Sequence, residues 1–239
     1  MEFLINLFNL ILYKPLFNIL ILLYQYLPGQ DFGIAVILLT ILIKVLFYPL
    51  GIKAIKSQKV LQGLQPKIQE IQKKYKGDKE KQTRAMMELY QKEKINPFSG
   101  CLPLLIQLPI LIALYQVFRK GLVPEEMINL YYFVPNPGQI NPTFLGVINL
   151  SQPLLILAVL AGIFQFIQTK MVAPKTSRVE KEEGQMAQFS VMMQKQTLYF
   201  FPIFTFFILL RLPSAIGLYW IVTTLFSIGQ QYFIFRKPG

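Results

Sequence analysis

Long apolar segments separated by charged loops dominate the hydrophobic pattern of this chain. Five of them are long enough to cross, or nearly cross, a bilayer as helices, at 32–52, 101–118, 152–169, 197–212 and 214–235. The fourth is short, and the Leu212-Pro213-Ser214 link leaves little between it and the fifth. These two are therefore predicted to form a tight hairpin under a locally thinned bilayer. The pattern predicts an all-α integral membrane protein with a core at 31–239.

The first 30 residues form a separate apolar region. Lys14-Pro15 interrupts this region, and Pro28-Gly29 follows it. It has neither the basic start nor the small-residue cleavage site of a secretory signal peptide. We expect residues 1–30 to contain a helix lying on the outer membrane surface. The alternative is a sixth span, which would put the N-terminus in the cytoplasm.

Residues 53–100 show the spacing of a polar helical hairpin. Apolar residues recur every three or four positions in each arm, Gly77-Asp78 supplies a turn, and Asn96-Pro97 ends the second arm. Each arm also carries many lysines. The hairpin is therefore either packed on itself with a solvated basic face, or a docking surface for membrane, ribosome or an incoming chain.

Charge sets the predicted orientation. The chain has 24 basic and 12 acidic residues, and 53–100 alone has 12 basic against 5 acidic, a net of 12 − 5 = +7. Basic loops are retained in the cytoplasm, so the hairpin, segment 170–196 and the C-terminus are predicted to be cytoplasmic, with the N-terminus and the proline-rich loop 119–151 outside.

Anionic lipid and ribosomal RNA are expected partners in preference to DNA. No removable targeting segment is apparent, which favours a bacterial plasma membrane.

Several residue types needed for catalysis are missing. The sequence has no histidine, one cysteine (Cys101) and no acidic residue inside a predicted span. These absences exclude a serine–histidine or aspartyl intramembrane protease and a thiolate metal cluster. We expect no enzymatic activity, no cofactor and no bound metal.

Lys44 is the most informative residue, because it lies inside a predicted span. A cation near mid-membrane costs roughly 2.5–3.5 kcal/mol, so such residues usually face a polar cavity or a partner. Thr40 and Tyr48 lie one turn before and one turn after it, on the same helix face. The alternative is that the lysine side chain extends to the nearer membrane surface.

The last span carries a second polar stripe. Its members share one helix face and are Trp220, Thr223, Thr224, Ser227 and Gln231. The second and third spans add Gln107, Tyr115, Gln165 and Gln168. Single polar residues of this kind often only bond one helix to another. Together with Lys44 they predict a hydrated groove with one fixed positive charge, lined by Lys44, Thr40, Tyr48, Gln165, Trp220 and Thr224.

Four sequence strings resemble one known family. They are TILIKVLFYPL at 40–50, LQPKIQ at 64–69, NPFSGCLPLLIQLPI at 96–110 and LPSAIGLYW at 212–220. On these strings the chain resembles the YidC/Oxa/Alb membrane protein insertases, from about Tyr13 onward.

The resemblance implies five transmembrane helices around a hydrophilic groove that is open to the cytoplasm and to lipid but closed outside. Lys44 would be its basic residue, with Thr40, Trp220 and Gln165 nearby, 53–95 the cytoplasmic hairpin and 15–27 the surface helix. The family usually has arginine at the groove position, and many members have a long basic tail absent here, which leaves ribosome binding open.

The function so implied is insertion of nascent membrane proteins into the bilayer without nucleotide. The Sec translocon and the ribosome are further candidate partners. A small-molecule transporter or channel, and a non-catalytic scaffold of the Sec translocon, are the alternatives.

Overall fold

The computed structural model describes residues 2–75, 77–93, 102–173 and 196–236. The predicted end of the hairpin at Asn96-Pro97, Cys101 and most of the predicted cytoplasmic segment 170–196 lie outside these ranges. Most of the described residues are helical, which confirms the predicted helical class. Within the described residues, two helices are long and apolar enough to cross a membrane, Glu2–Tyr26 and Leu155–Val172, and a bent helix pair would be a third.

The N-terminal region is one helix of 25 residues. Helix α1 (Glu2–Phe8) continues through a wide π-helical turn (Asn9–Tyr13) into α2 (Lys14–Tyr26). Lys14-Pro15 interrupts the apolar pattern of the sequence but not the helix. Pro15 lies in the first turn of α2, where the amide hydrogen that proline lacks is not needed by the α-helical ladder.

Helices α3 (Phe32–Leu46) and α4 (Tyr48–Gly63) meet at Phe47 with a bend of 67°. The predicted span 32–52 is therefore not one straight helix. Pro49 explains the position of the break, because its ring would clash with the carbonyl of Val45 in a continuous helix. At the other end, the Asp31 carboxylate accepts the amide of Ile34 at 2.8 Å and caps α3.

The polar hairpin consists of α4, α5 (Gln65–Lys74) and α6 (Lys79–Lys92). Gly77 at φ +93° forms the turn, and Asp78 caps α6 by accepting the amide of Lys81 at 3.0 Å. The Lys67 ammonium lies 2.6 Å from the Glu93 carboxylate and joins the arms, which lowers the pKa of Glu93. This pair is largely exposed, so it contributes little to stability.

The remaining helices are α7 (Leu102–Lys120), α8 (Leu155–Val172), α9 (Phe201–Leu209) and α10 (Ser214–Arg236). A wide turn at Gln196–Phe200 precedes α9. Helix α10 is central and packs against α3, α7 and α8. Ala158, Ala161 and Gly217 are small and let α8 and α10 approach closely, since a Cβ on Gly217 would lie 3.4 Å from the Leu157 Cβ.

The segment between α7 and α8 was expected to be irregular, but it contains regular structure. A 3₁₀ helix spans Pro124–Asn129, and β1 (Thr143–Phe144) pairs antiparallel with β2 (Ile148–Asn149). The pair is closed by the Leu150 amide, which donates to the Pro142 carbonyl at 2.8 Å. Prolines flank the two strands without occupying them, so the ladder bonds are kept.

Candidate substrate groove

Lys44 lies in the last turn of α3 and points toward α10. Its Nζ donates to the Ser227 hydroxyl at 2.9 Å and lies 5.8 Å from the centre of the Phe226 ring. The Ser227 hydroxyl in turn donates to the Thr223 carbonyl at 3.0 Å. None of the ion pairs among the described residues includes Lys44. The partly buried cation is therefore held by one hydroxyl and a ring face, without a compensating carboxylate.

A small pocket of about 70 Å³ lies beside Lys44, at the bend between α3 and α4. Its walls come from α3, α4, α7 and α10 and are formed by Ile43, Lys44, Phe47, Leu50, Gly51, Ala54, Ile106, Gln107, Ile110 and Gln230. Most of these residues are apolar. The polar groups are few and converge from three helices, which is the composition of a binding site.

Glycine at position 51 helps to keep this space open. A Cβ there would lie 3.5 Å from Nε2 of Gln230, in ordinary contact, and a longer side chain would extend into the pocket. Nε2 of Gln230 is buried and has no hydrogen-bond partner among the described residues. A buried amide donor of this kind requires water or a polar ligand. The pocket can therefore hold water or a small polar group beside the cation.

The polar surface ends partway along the helices. Gln107 on α7 donates to the Tyr219 hydroxyl on α10, and Tyr219 is buried. From Tyr219 to the N-terminal end of α10, the buried side chains on the facing helices are almost all apolar, including Val36, Leu114 and Phe118. The polar pocket thus lies toward the α4 end, and a packed apolar core lies toward the segment between α7 and α8.

The other residues predicted to line the groove have different surroundings. Thr40 is fully buried, and its hydroxyl donates to the Val36 carbonyl of its own helix at 2.6 Å. Trp220 donates to the Gln165 side-chain oxygen at 2.8 Å, which joins α10 to α8. Thr224 is buried, and Tyr48 is exposed with its ring against Phe226. Lys44 donates to Ser227, and no hydrogen bond among the described residues joins it to these five side chains.

Three residues that shape the pocket were absent from the predicted site. Gln107 was noted in the sequence as a polar residue of the second span but was not assigned to the groove. Gln230 and Gly51 were not singled out at all. The available signal was the adjacent pair Gln230-Gln231, where the polar stripe of α10 broadens near the α4 end.

Most of the chain matches one known protein family. A model of the family described as 60Kd inner membrane protein matches residues 22–238. A membrane protein insertase YidC of Fusobacterium nucleatum is 37% identical over 207 residues, covering 87% of this chain and 87% of that protein.

Two longer relatives match this chain over only about a third of their own length. The YidC insertase of Geobacter sulfurreducens is 36% identical over 226 residues, covering 94% of this chain and 37% of that protein. The YidC insertase of Francisella tularensis subsp. novicida is 34% identical over 206 residues, covering 86% of this chain and 33% of that protein. This chain thus spans about a third of the length of those two relatives.

The match along most of the chain confirms the resemblance drawn from the four sequence strings. It also agrees with the expectation of a protein without enzymatic activity, because the relatives are named as insertases. The chain belongs to the 60Kd inner membrane protein family, which includes the YidC membrane protein insertases.

Proposed function

We propose that this protein inserts nascent membrane proteins into the bacterial plasma membrane through the pocket beside Lys44. The observation that carries the proposal is the unpaired cation at the edge of a partly polar pocket inside an apolar helix bundle. An acidic or polar flank of a client would enter this pocket, while the client's hydrophobic segment stays against lipid. Lys44 attracts the flank, and Gln107 and Gln230 supply hydrogen bonds to it.

Apolar burial supplies the driving force without nucleotide. Moving one leucine-sized side chain from water into an apolar phase is worth about 1.5–3 kcal/mol. One charge at mid-membrane costs roughly 2.5–3.5 kcal/mol on insertion scales. About two large apolar side chains therefore offset one carboxylate at equilibrium. The groove is needed for the rate, because it shortens the apolar distance that the flank must cross.

The apolar exterior provides a surface for the client's hydrophobic segment. On α3 the exposed residues Leu38, Ile41, Leu42 and Val45 form one face, and α9 exposes Ile203, Phe204 and Phe207. In a membrane these faces contact lipid. A client helix can lie along such a face while its flank occupies the pocket. Clients with one or two spans and short translocated flanks of low positive charge fit this arrangement best.

Five spans are proposed, formed by α3, α7, α8, α9 and α10, with the N-terminus outside. The contacts of α2 support this count although Glu2–Tyr26 is long enough to cross. Tyr13 donates to Glu126 at 2.7 Å, and Tyr24 accepts the amide of Asn141 at 3.1 Å. Both ends of α2, roughly 16 Å apart, thus contact the one segment between α7 and α8. A helix that crossed the membrane would meet this segment at one end only.

The basic hairpin would then lie in the cytoplasm, with α4 to α6 beside the open end of the pocket. Its exposed lysines can bind anionic headgroups, each worth about 1 kcal/mol near the surface. The same surface suits ribosomal RNA or a Sec component, and steep salt dependence of binding would identify RNA.

Reconstitution tests the proposal directly. Liposomes containing the purified protein should insert a single-span client with a short acidic flank faster than empty liposomes do. Lys44→Ala should lower the rate, and Lys44→Arg should retain it. Lys56→Ala is the matched control, because Lys56 is an exposed lysine of α4 outside the pocket.

Two results would contradict the proposal. Solute flux through the liposomes without any effect on insertion would favour a transporter or channel. Equal insertion by the wild type and Lys44→Ala would favour a scaffold, in which helix faces matter and the charge does not.

A further inference from the structure

The connection between β1 and β2 is formed by three nonpolar residues, Leu145, Gly146 and Val147. Leu145 is 65% exposed and Val147 is 85% exposed. Turns of this kind normally carry polar residues or glycine, both for hydration and for backbone conformation. Two neighbouring branched apolar side chains at an exposed hairpin tip therefore need an explanation.

The backbone makes the choice of leucine more unusual. Leu145 has φ +52°, in the left-handed region that glycine and asparagine adopt readily and leucine does not. The sequence thus places an aliphatic side chain where both the backbone and water disfavour it. Such a residue persists where some other interaction compensates for it.

The tip is held in place by contacts to α3. The Leu145 amide donates to the Asp31 carboxylate, which also caps α3. The Phe144 ring packs against Gly33, where an added Cβ would approach it to 2.3 Å. The base of the pair is fixed as well, because the Ala215 amide at the start of α10 donates to the Leu150 carbonyl at 3.0 Å. The β1–β2 pair is thus anchored to α3 and α10, and it fixes the position of the tip.

Its position continues the lipid-facing surface of α3. Leu38 and Val45 are spaced by seven residues and share one face of α3 with about 20° of drift, and Asp31 caps the N-terminal end of this helix. Leu38 and Val45 are both exposed. The 15 residues of α3 rise only about 22 Å, some 8 Å less than the hydrocarbon core of a typical bilayer. An apolar tip bonded to Asp31 extends this surface at its outer end.

We propose that the Leu145–Val147 tip inserts into the outer leaflet of the bilayer, at the boundary of headgroups and acyl chains, and lengthens the apolar face of α3. The inference rests on the orientation proposed above. Lipid is the occupant that fits, because the tip adjoins a surface already facing lipid and carries no charge or side-chain hydrogen-bonding group that would select a protein partner.

A fluorescent depth measurement tests this. With Cys101 replaced by serine, a single cysteine at 145, 147 or 139 is labelled with an environment-sensitive dye, in proteoliposomes with quencher lipids in the outer leaflet. Gln139 is an exposed polar position of the same segment and serves as control. Labels at 145 and 147 should show blue-shifted emission and lipid quenching, while the label at 139 should be quenched by aqueous iodide.

Unlabelled variants exclude an artefact of the dye. Leu145→Asn should keep or raise the thermal midpoint in detergent, since asparagine tolerates the left-handed conformation, and should lose part of the stabilisation gained on transfer to nanodiscs. Val147→Thr, which keeps the shape, should show the same loss.

The inference is overturned if label 145 behaves like label 139, if it leaves water only when a protein partner is added, or if only inner-leaflet quenchers reach it. Insertion measured in the same proteoliposomes separates this failure from failure of the proposed function.

Discussion

At the residue scale, Lys44 is held in a way that suits transient binding. An ammonium group has three donors, and among the described residues one of them has a partner, the Ser227 hydroxyl. A carboxylate partner would neutralise the charge and make it costly to release. Lysine is also a point charge on a flexible stem, without the two-pronged geometry of arginine. Two donors therefore remain for water or for the flank of a client.

Charge reversal at this position gives a prediction about client choice. Lys44→Glu should slow insertion of a client with an acidic flank roughly tenfold, equivalent to about 1.4 kcal/mol in the barrier. The same variant should insert a matched client with a lysine in that flank better than the wild type does. The measurement is the initial insertion rate of both clients in proteoliposomes. Equal losses for the two clients would mean that the charge of Lys44 does not discriminate between acidic and basic flanks.

At the element scale, the pocket depends on the bend between α3 and α4. The bend carries Gly51 inward against Gln230 and leaves space bounded by Lys44 and Gln107. If the helix ran straight through Phe47, Gly51 would continue along the axis of α3, and the wall of the pocket that it forms would change. The bend is therefore the feature that turns a polar stripe into a cavity.

Filling the pocket should block insertion without unfolding the protein. Gly51→Leu should lower the client insertion rate severalfold, whereas Gly51→Ala should be close to wild type, because its Cβ makes only ordinary contact at 3.5 Å. Gly63→Leu is the control on the same helix, since a Cβ there has no heavy atom within 4 Å. Thermal unfolding in detergent establishes that all three variants fold. Wild-type activity of the Gly51→Leu protein would contradict a role of the pocket in client insertion.

The sequence could predict the helices better than the site. Periodicity located the helical segments, but it predicted one span at 32–52 and gave no sign of the 67° bend, which depends on how α4 packs. Thr40 and Thr224 had the correct spacing for the groove, yet both are buried. Helical spacing fixes the direction of a side chain on its own helix. It does not say which neighbouring helix covers that direction.

Because helical spacing does not predict which helices are neighbours, the sequence did not assign Gln230, Gly51 and Gln107 to the groove. Gln230 and Gly51 become neighbours only because two segments nearly 180 residues apart in sequence are packed together. Gln107 is one polar residue in an apolar helix, and its contact with Tyr219 follows from the packing of α7 on α10. The family resemblance carried Lys44, Thr40, Gln165 and Trp220 to the groove, and of these the structure places Lys44 at the pocket.

At the scale of the whole molecule, the two ends of the bundle are built differently. Toward the segment between α7 and α8, α2 and the β1–β2 pair pack on a core that includes Phe17, Phe32 and Phe118, and the rings of Phe32 and Phe118 are in edge contact. Toward α4 the helices diverge around the pocket. A bundle packed at one end and open at the other admits a client from one side of the membrane without creating a continuous channel.

The proposed position of α2 can be tested by labelling. In a protein with Cys101 replaced by serine, single cysteines at Lys14 and Tyr26 should both react with a membrane-impermeant maleimide added to the outside of intact cells. A cysteine at Lys53 at the start of the cytoplasmic hairpin should react only after the cells are opened. If α2 crossed the membrane with its neighbours, position 14 would be protected while position 26 reacted.

The most direct test of the account is whether water reaches position 44 from the cytoplasmic side. In inside-out vesicles of the Cys101→Ser protein, a cysteine at 44 should react with an impermeant maleimide added outside the vesicles. A cysteine at Leu42 is the control, because Leu42 is exposed on the lipid-facing side of the same helix. We expect fast labelling at 44 and slow labelling at 42. Labelling at 44 as slow as at 42 would place Lys44 in a dry environment and contradict the proposed route for client proteins.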